Sequence, residues 1–331
     1  MGSFRHVHPA LTAVFAGLLL AGASLCQDST ASAGPMLGLV FDRAVKGVRP
    51  IWGIPGSAFY GPPLGLGFNV ARAAVAQSSA LVTSTDGGVF LVRINDGAVS
   101  TWPIDAPASP DSMAISSNAA AAALYYRDQG AIALVTLGDQ PAVTSTLPAP
   151  GAISNLAISD DAKALACTET SDAGDTLVAI DAISGAPRNV AQSGHIAAAA
   201  FLPGTQDVVY ADDNAGAVSL VRGLLADAVS TPLLAGDPRM AGPGALQPSA
   251  SGSQVIVAGP KDGSVGILDL AGGDPVFLNC NCAPVNLARL ISKSLYVLTE
   301  FQDGVLWLLD ASAPRILFVP PDADSASGVL P

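Results

Sequence analysis

Three histidines occur in the 331 residues, and only His195 lies beyond the first eight. A chain so poor in histidine excludes multi-histidine zinc sites and the H-E-x-x-H helix outright. His195 stands in Gln192-Ser193-Gly194-His195-Ile196, where it could serve as a general base given an orienting partner; the plain alternative is a loop histidine bonding backbone. Glutamate is as scarce: Glu169 and Glu300 are the two in the chain. Either is a candidate acid or base, and with Asp172, Asp175 and Asp303 they could make a hard oxygen site for Ca²⁺. Solvated loop carboxylates are the competing reading. Arg127 and Arg239 could anchor an anionic ligand, or be ordinary surface arginines. Cys280-Asn281-Cys282 reads as a redox or metal pair, or else as a local disulfide or two loop thiols. No G-x-S-x-G elbow, phosphate-binding G-x-x-x-x-G-K loop or N-glycan sequon is present.

What positions these residues is a repeat. A glycine preceded by aspartate and followed by β-formers returns at Gly88, Gly130, Gly174, Gly216, Gly263 and Gly304, with spacings of 42, 44, 42, 47 and 41. That period, built only of short strands, predicts an all-β chain folded as a β-propeller of four-stranded antiparallel blades. Labelled A to D from the axis outwards, the strands of one unit are Met113–Ser116, Ala121–Tyr126, Ala131–Leu137 and Ala142–Leu147. The third strand is a near-continuous apolar run in every unit, as expected of a strand covered on both faces.

Six full units fit, at about 68–105, 110–148, 152–190, 194–235, 243–279 and 283–320. Met36 to Gly56 reads as one further C–D hairpin, giving seven blades with one incomplete, or six with an added hairpin. The Pro/Gly-rich stretch Gly61–Gly67 crosses to the first full blade, and Asp322–Pro331 is expected to be a loose tail. Asp86, Asp128, Asp172, Asp213, Asp262 and Asp303 fall at the B–C corners, where an aspartate and a glycine are first of all turn chemistry. All six share one rim with the D–A connection that carries His195, so a Ca²⁺ or cationic partner is the functional alternative. Trp52 and Trp102 fall at matching places on expected D strands and suggest outer-edge packing.

Residues 1–33 read as a secretory leader and linker, with a basic start at Arg5, an apolar run from Leu11 to Leu20, and small-residue cleavage sites near Ala23 or Ala33. Cys26 raises lipidation, but Leu25 stands where a small residue belongs. The propeller then occupies 34–321, exported to the periplasm or outside the cell, with no membrane span and a monomer expected. Net charge is −12, and 25 of the 27 acidic residues are aspartate, which argues against a nucleic-acid partner. Cys167, in Leu165-Ala166-Cys167, reads as a small buried hydrophobe.

Leu295-Tyr296-Val297-Leu298-Thr299-Glu300 followed by Gly304-Val305-Leu306-Trp307-Leu308-Leu309-Asp310 resembles the YVTN class of WD40-like bacterial propeller repeats. Val208–Asp212 and Ser264–Asp269 look like weaker copies. The resemblance spans most of 68–320 and implies a fold, with relatives that include lactonase-like hydrolases, surface-layer proteins and interaction scaffolds. With no catalytic set legible, the expectation is a non-catalytic binding or scaffold module with a protein or envelope partner. The alternative is a lactonase-like or metal-dependent hydrolase at the channel mouth, using His195 and rim carboxylates.

Overall fold

The computed structural model describes residues 34–301 and 305–321. Among them, strands form seven antiparallel sheets, six of four strands and one of three, and no helix occurs. Each sheet is a meander in sequence order, and the sheets stand as blades around one axis. Blade 1 is β1 (Met36–Asp42), β2 (Gly47–Ile54) and β3 (Ser57–Tyr60). Blade 2 is β4 (Val70–Ala76), β5 (Ser79–Ser84), β6 (Val89–Asn95) and β7 (Ala98–Ile104). Blade 3 is β8 (Ser112–Ile115), β9 (Ala121–Tyr126), β10 (Ala131–Thr136) and β11 (Ala142–Pro148). Blade 4 is β12 (Ile153–Ile158), β13 (Ala164–Ser171), β14 (Gly174–Asp181) and β15 (Pro187–Ser193). Blade 5 is β16 (Ile196–Phe201), β17 (Val208–Asp212), β18 (Ala217–Arg222) and β19 (Val229–Ala235). Blade 6 is β20 (Ala245–Pro248), β21 (Gln254–Gly259), β22 (Ser264–Asp269) and β23 (Val276–Asn279). Blade 7 is β24 (Ala288–Arg289), β25 (Leu295–Val297), β26 (Leu306–Asp310) and β27 (Arg315–Val319).

The expected leader, tail, Asp303 and Gly304 lie outside the described residues. The six full units match blades 2 to 7. Their second strands are covered on both faces, β5 and β9 over their whole length, so the alanines of β9 pack as strand despite their helix propensity. Gly130, Gly174, Gly216 and Gly263 hold the turn conformation that the repeat implied, at φ 57°, 115°, 62° and 69°, whereas at the blade 2 corner Gly87 at 91°, and not Gly88, takes it. A side chain at Gly263 would also strike backbone, because its Cβ would sit 2.7 Å from the Cys280 carbonyl.

A second repeat, not read from the sequence, closes the A–B turns. Ser116 Oγ accepts from the Ala120 and Ala121 amides at 3.1 and 3.0 Å. Ser159 Oγ accepts from Ala164 at 3.0 Å and Ser249 Oγ from Gln254 at 3.1 Å. Its pattern, serine followed two residues later by Asn118, Asp161 or Ser251, is ordinary ST- and Asx-turn chemistry.

Blade 1 corrects the expected C–D hairpin. Pro55 and Gly56, the latter at φ 88°, reverse the chain in two residues and add β3 as a third strand. The Ile291 amide bonds the Leu37 carbonyl at 2.8 Å, placing the start of β1 beside the A–B turn of blade 7. At its other end, Val70 N–H donates to the Lys46 carbonyl at 2.7 Å, beside the start of β4. β1 therefore runs opposite to the innermost strands of the other blades. It is a B strand, β2 and β3 are C and D, and no described strand fills the A position. Trp52 thus lies on a C strand and Trp102 on a D strand, so their expected equivalence does not hold.

The ring closes between blades 7 and 1 through the Ile291–Leu37 backbone bond, a parallel bridge between Asp42 and Phe301, and side chains. Tyr60 packs edge-on against Phe301 with ring centroids 4.5 Å apart. Its hydroxyl accepts from the Leu306 amide at 3.1 Å and donates to the Val319 carbonyl at 3.4 Å. Arg49 lies over both rings, 5.3 and 5.6 Å from their centroids, and pairs with the buried Asp42 at 3.3 Å.

Several turn carboxylates are held below their ordinary pKa. Burial pushes the Asp262 carboxyl up, but hydrogen bonds from the Ala241 amide and from Ser264 outweigh it; at Asp310 bonds from Ser312 and Arg315 do the same. A carboxylate depressed in the fold contributes stability that is complete above its unfolded pKa of about 4 and lost as pH falls through the folded value. We therefore expect the melting midpoint to hold from neutrality to about pH 5 and to drop below about pH 4, with a shallower acid limb in Asp262→Ala. A calorimetric pH series checks this; a midpoint that falls between pH 7 and 5 would contradict it.

Candidate functional site

The blades enclose a central cavity of about 490 Å³. Innermost strands line it, with small residues such as Ala74, Ala114, Ala157 and Ala200 beside larger ones such as Met113, Leu156 and Phe201, together with Val40 of β1. Polar side chains also line it, among them Asn155, Gln247, Asn286 and Arg289. Near the A–B end, Arg289 Nη2 reaches from blade 7 to the Ser117 carbonyl of blade 3 at 2.9 Å, and Gln77 Nε2 donates to the same oxygen at 3.0 Å. Arg289 Nη1 is buried and has no hydrogen-bond partner among the described residues. Beside it, Asp160 joins three A–B turns, accepting from Ser117 Oγ, Asn118 N and Gly204 N at 2.9 to 3.0 Å.

The B–C rim holds most of the residues singled out from sequence, but in separate pairings. His195, half exposed between β15 and β16, places Nδ1 2.7 Å from Asp213 Oδ1. The second Asp213 oxygen lies 3.5 Å from Lys261 Nζ on the B–C corner of blade 6. His195 is not among the residues lining the cavity; it stands outside it on the rim. Asp175 is buried at 3% exposure and accepts the Ile196 amide at 2.9 Å, tying blade 4 to the innermost strand of blade 5. Its neighbour Asp212 accepts from Ser193 Oγ and from the Ala215 amide.

Glu169 fills the space left by Gly151, where a Cβ would stand 2.3 Å from its carboxylate oxygen. Asp172 is exposed at the blade 4 corner. Glu300 does line the cavity and pairs with Arg43 of blade 1 at 2.7 Å, so it works across the ring seam. Among the described residues no three His, Cys, Asp or Glu side chains gather as a metal-ligand group. The two glutamates lie on blades 4 and 7.

Arg239 is held by Asp237, whose carboxylate it approaches to 2.7 Å, and it covers the Phe277 ring at 4.3 Å. Hydrogen bonds from Arg239 hold the Asp237 pKa down to about 2. Arg127 is exposed, and its amide donates to Asp111 at 2.8 Å. Cys280 and Cys282 are joined in a disulfide. Cys167 is fully buried, and burial, helped by the negative charge of Glu169, pushes its thiol up to about 12. A thiol so protonated is inert: we expect its tryptic peptide to stay unmodified by iodoacetamide in the native protein and to be alkylated once unfolded. Alkylation of the native protein at the same rate would contradict the burial.

Sequence reasoning missed Arg289 and Asp160. The signal for Arg289 was its register. It is the last residue of its inner strand, where the other blades place Ala76, Ile115, Ile158, Phe201 and Pro248.

No protein-family model and no curated protein matches the chain. Solved structures do. The Kuenenia stuttgartiensis hydrazine synthase aligns at TM-score 0.54 and 11% identity, over 92% of this chain and 99% of that one. A nidogen/laminin complex aligns at TM-score 0.53 and 11% identity, over 71% and 90%. No helix among the described residues is long and apolar enough to cross a membrane. At such identities the likeness establishes the fold alone: the chain is a seven-bladed β-propeller.

Proposed function

We propose that this chain is an exported β-propeller that acts as a non-catalytic binding or scaffold module in the cell envelope or extracellular space. One observation carries the reading: several of the rim groups capable of acid–base work are engaged in structural contacts and are not gathered at one site. Asp175 ties blade 4 to blade 5, Glu300 and Arg43 pair across the seam, and Asp237 holds Arg239. A general base works with a partner at one reacting site, whereas these groups are scattered around the ring. Export is supported by the leader-like composition of residues 1–33 and by the Cys280–Cys282 disulfide, a bond favoured in oxidising compartments. Of the two similar structures, one is named for an enzyme and the other for a complex, so fold does not choose between the readings.

The competing reading is a lactonase-like hydrolase, favoured by the 2.7 Å approach of His195 to Asp213. Incubation of the full chain with a panel of lactones, esters and phosphoesters separates the two. We expect no turnover that depends on His195. A rate that falls about 100-fold or more in His195→Ala would overturn the binding-module reading.

A further inference from the structure

Among the described residues, no strand pairs with the inner edge of β1 along its middle. The Pro50 carbonyl accepts the Gly61 amide at 2.8 Å and the Val48 carbonyl accepts that of Leu64 at 2.8 Å, so both face away from β1. Their partners across the ladder, Leu39 and Phe41, must therefore turn their backbone groups away from β2, towards the axis. Phe301, in a parallel bridge to Asp42, occupies one end of that inner edge, and Ile291 bonds Leu37 at the other. Between them, the Leu39 amide and carbonyl have no partner among the described residues, although Leu39 is 1% exposed. Buried backbone groups are nearly always paired, and these lie where every other blade has its innermost strand. In the same cavity, Arg289 spends one donor on Ser117 and leaves Nη1 buried without a partner.

We propose that the channel receives an extended peptide from another molecule, which adds to β1 as the innermost strand of blade 1 and sets a carboxylate against Arg289. This deepens the binding-module reading and rests on it. Strand addition supplies main-chain hydrogen bonds at a free edge, and the guanidinium supplies a charge-assisted anchor at one end. Alanines on four inner strands, Ala74, Ala114, Ala157 and Ala200, leave room beside the larger lining residues for an occupant with small side chains. An extended hexapeptide spans about 20 Å, matching the six-residue innermost strands β12 and β16.

The test is calorimetric titration of the full chain with an acetylated hexapeptide of alternating alanine and valine ending in a free carboxylate. Its C-terminal amide and its alternately N-methylated form are the controls. We expect the acid to bind about tenfold tighter than the amide, Arg289→Gln to erase that difference, and the N-methylated peptide not to bind. On binding, hydrogen exchange should slow at the Leu39 amide. Absence of binding by the acid, or equal binding of acid and amide to the unaltered chain, overturns the proposal. Binding seen only after deletion of residues 322–331 also overturns it, by assigning the edge to the chain's own end. His195-dependent turnover in the lactone panel would instead strike the binding-module reading itself, so the two failures are distinguishable.

Discussion

Asp42→Ala is expected to lower stability by about 3–5 kcal/mol, the range for removing one partner of a buried ion pair. Asp42 is 1% exposed and the Arg49 side chain 11%, so the substitution takes a carboxylate from a largely enclosed guanidinium. It also removes the acceptor for the Ala44 and Val45 amides, at 3.0 and 3.2 Å, and with them the turn that sets β1 against β2. At about 2 °C per kcal/mol for a domain of this size, the melting midpoint should fall by about 6–10 °C. The double variant Asp42→Ala with Arg49→Met should recover part of the loss, because the guanidinium that lost the Asp42 carboxylate goes too. A fall under about 2 °C would mean that the seam does not depend on this pair.

Phe301→Ala is expected to cost about 3–5 kcal/mol, as for large-to-small changes at a buried aromatic. The ring is 7% exposed, packs edge-on against Tyr60 and lies beneath Arg49. It belongs to a buried cluster that draws Leu37, Val40 and Ile51 from blade 1 and Leu295, Leu306 and Val319 from blade 7. Blades 1 and 7 come from opposite ends of the described chain and share no strand, so side-chain packing, with the Ile291–Leu37 bond and the Asp42–Phe301 bridge, holds the ring shut. Amide exchange should therefore speed up first in β1 and β25, ahead of the blades opposite. Uniform acceleration around the ring would contradict a localised seam.

The sequence made the propeller legible because the B–C turn needs glycine at positive φ and so stamps a period on the chain. Blade 1 was misread for a local reason. Pro55-Gly56 is a two-residue turn signal, but β3 is only four residues long and alternates exposed with buried positions, so it lacks the apolar run that marked the other strands. Assigning one strand too few moved Leu37–Asp42 from B to C and gave Trp52 a false counterpart. The rim was legible in position and not in pairing. That His195 and Asp213 share a rim follows from the repeat; that they touch, and that Arg43 meets Glu300 across the seam, depends on blade-to-blade geometry that no spacing encodes. Arg289 went unread because a single charged residue in an apolar strand carries meaning only once the strands are aligned.

The central claim is that the rim carboxylates are joints of the scaffold and not ligands of a metal. The measurement that tests it most directly is a thermal melt of the full chain and of Asp175→Ala, each in EDTA and in excess Ca²⁺. A ligand bound only by the native state adds about 2.7 kcal/mol at a hundredfold excess over Kd. The account predicts the same midpoint for the unaltered chain in EDTA and in Ca²⁺. It also predicts an equal loss of about 1–3 kcal/mol in both media for Asp175→Ala, from the orphaned Ile196 amide. A Ca²⁺-dependent rise in the unaltered chain that disappears in Asp175→Ala would contradict it and make the rim a metal site.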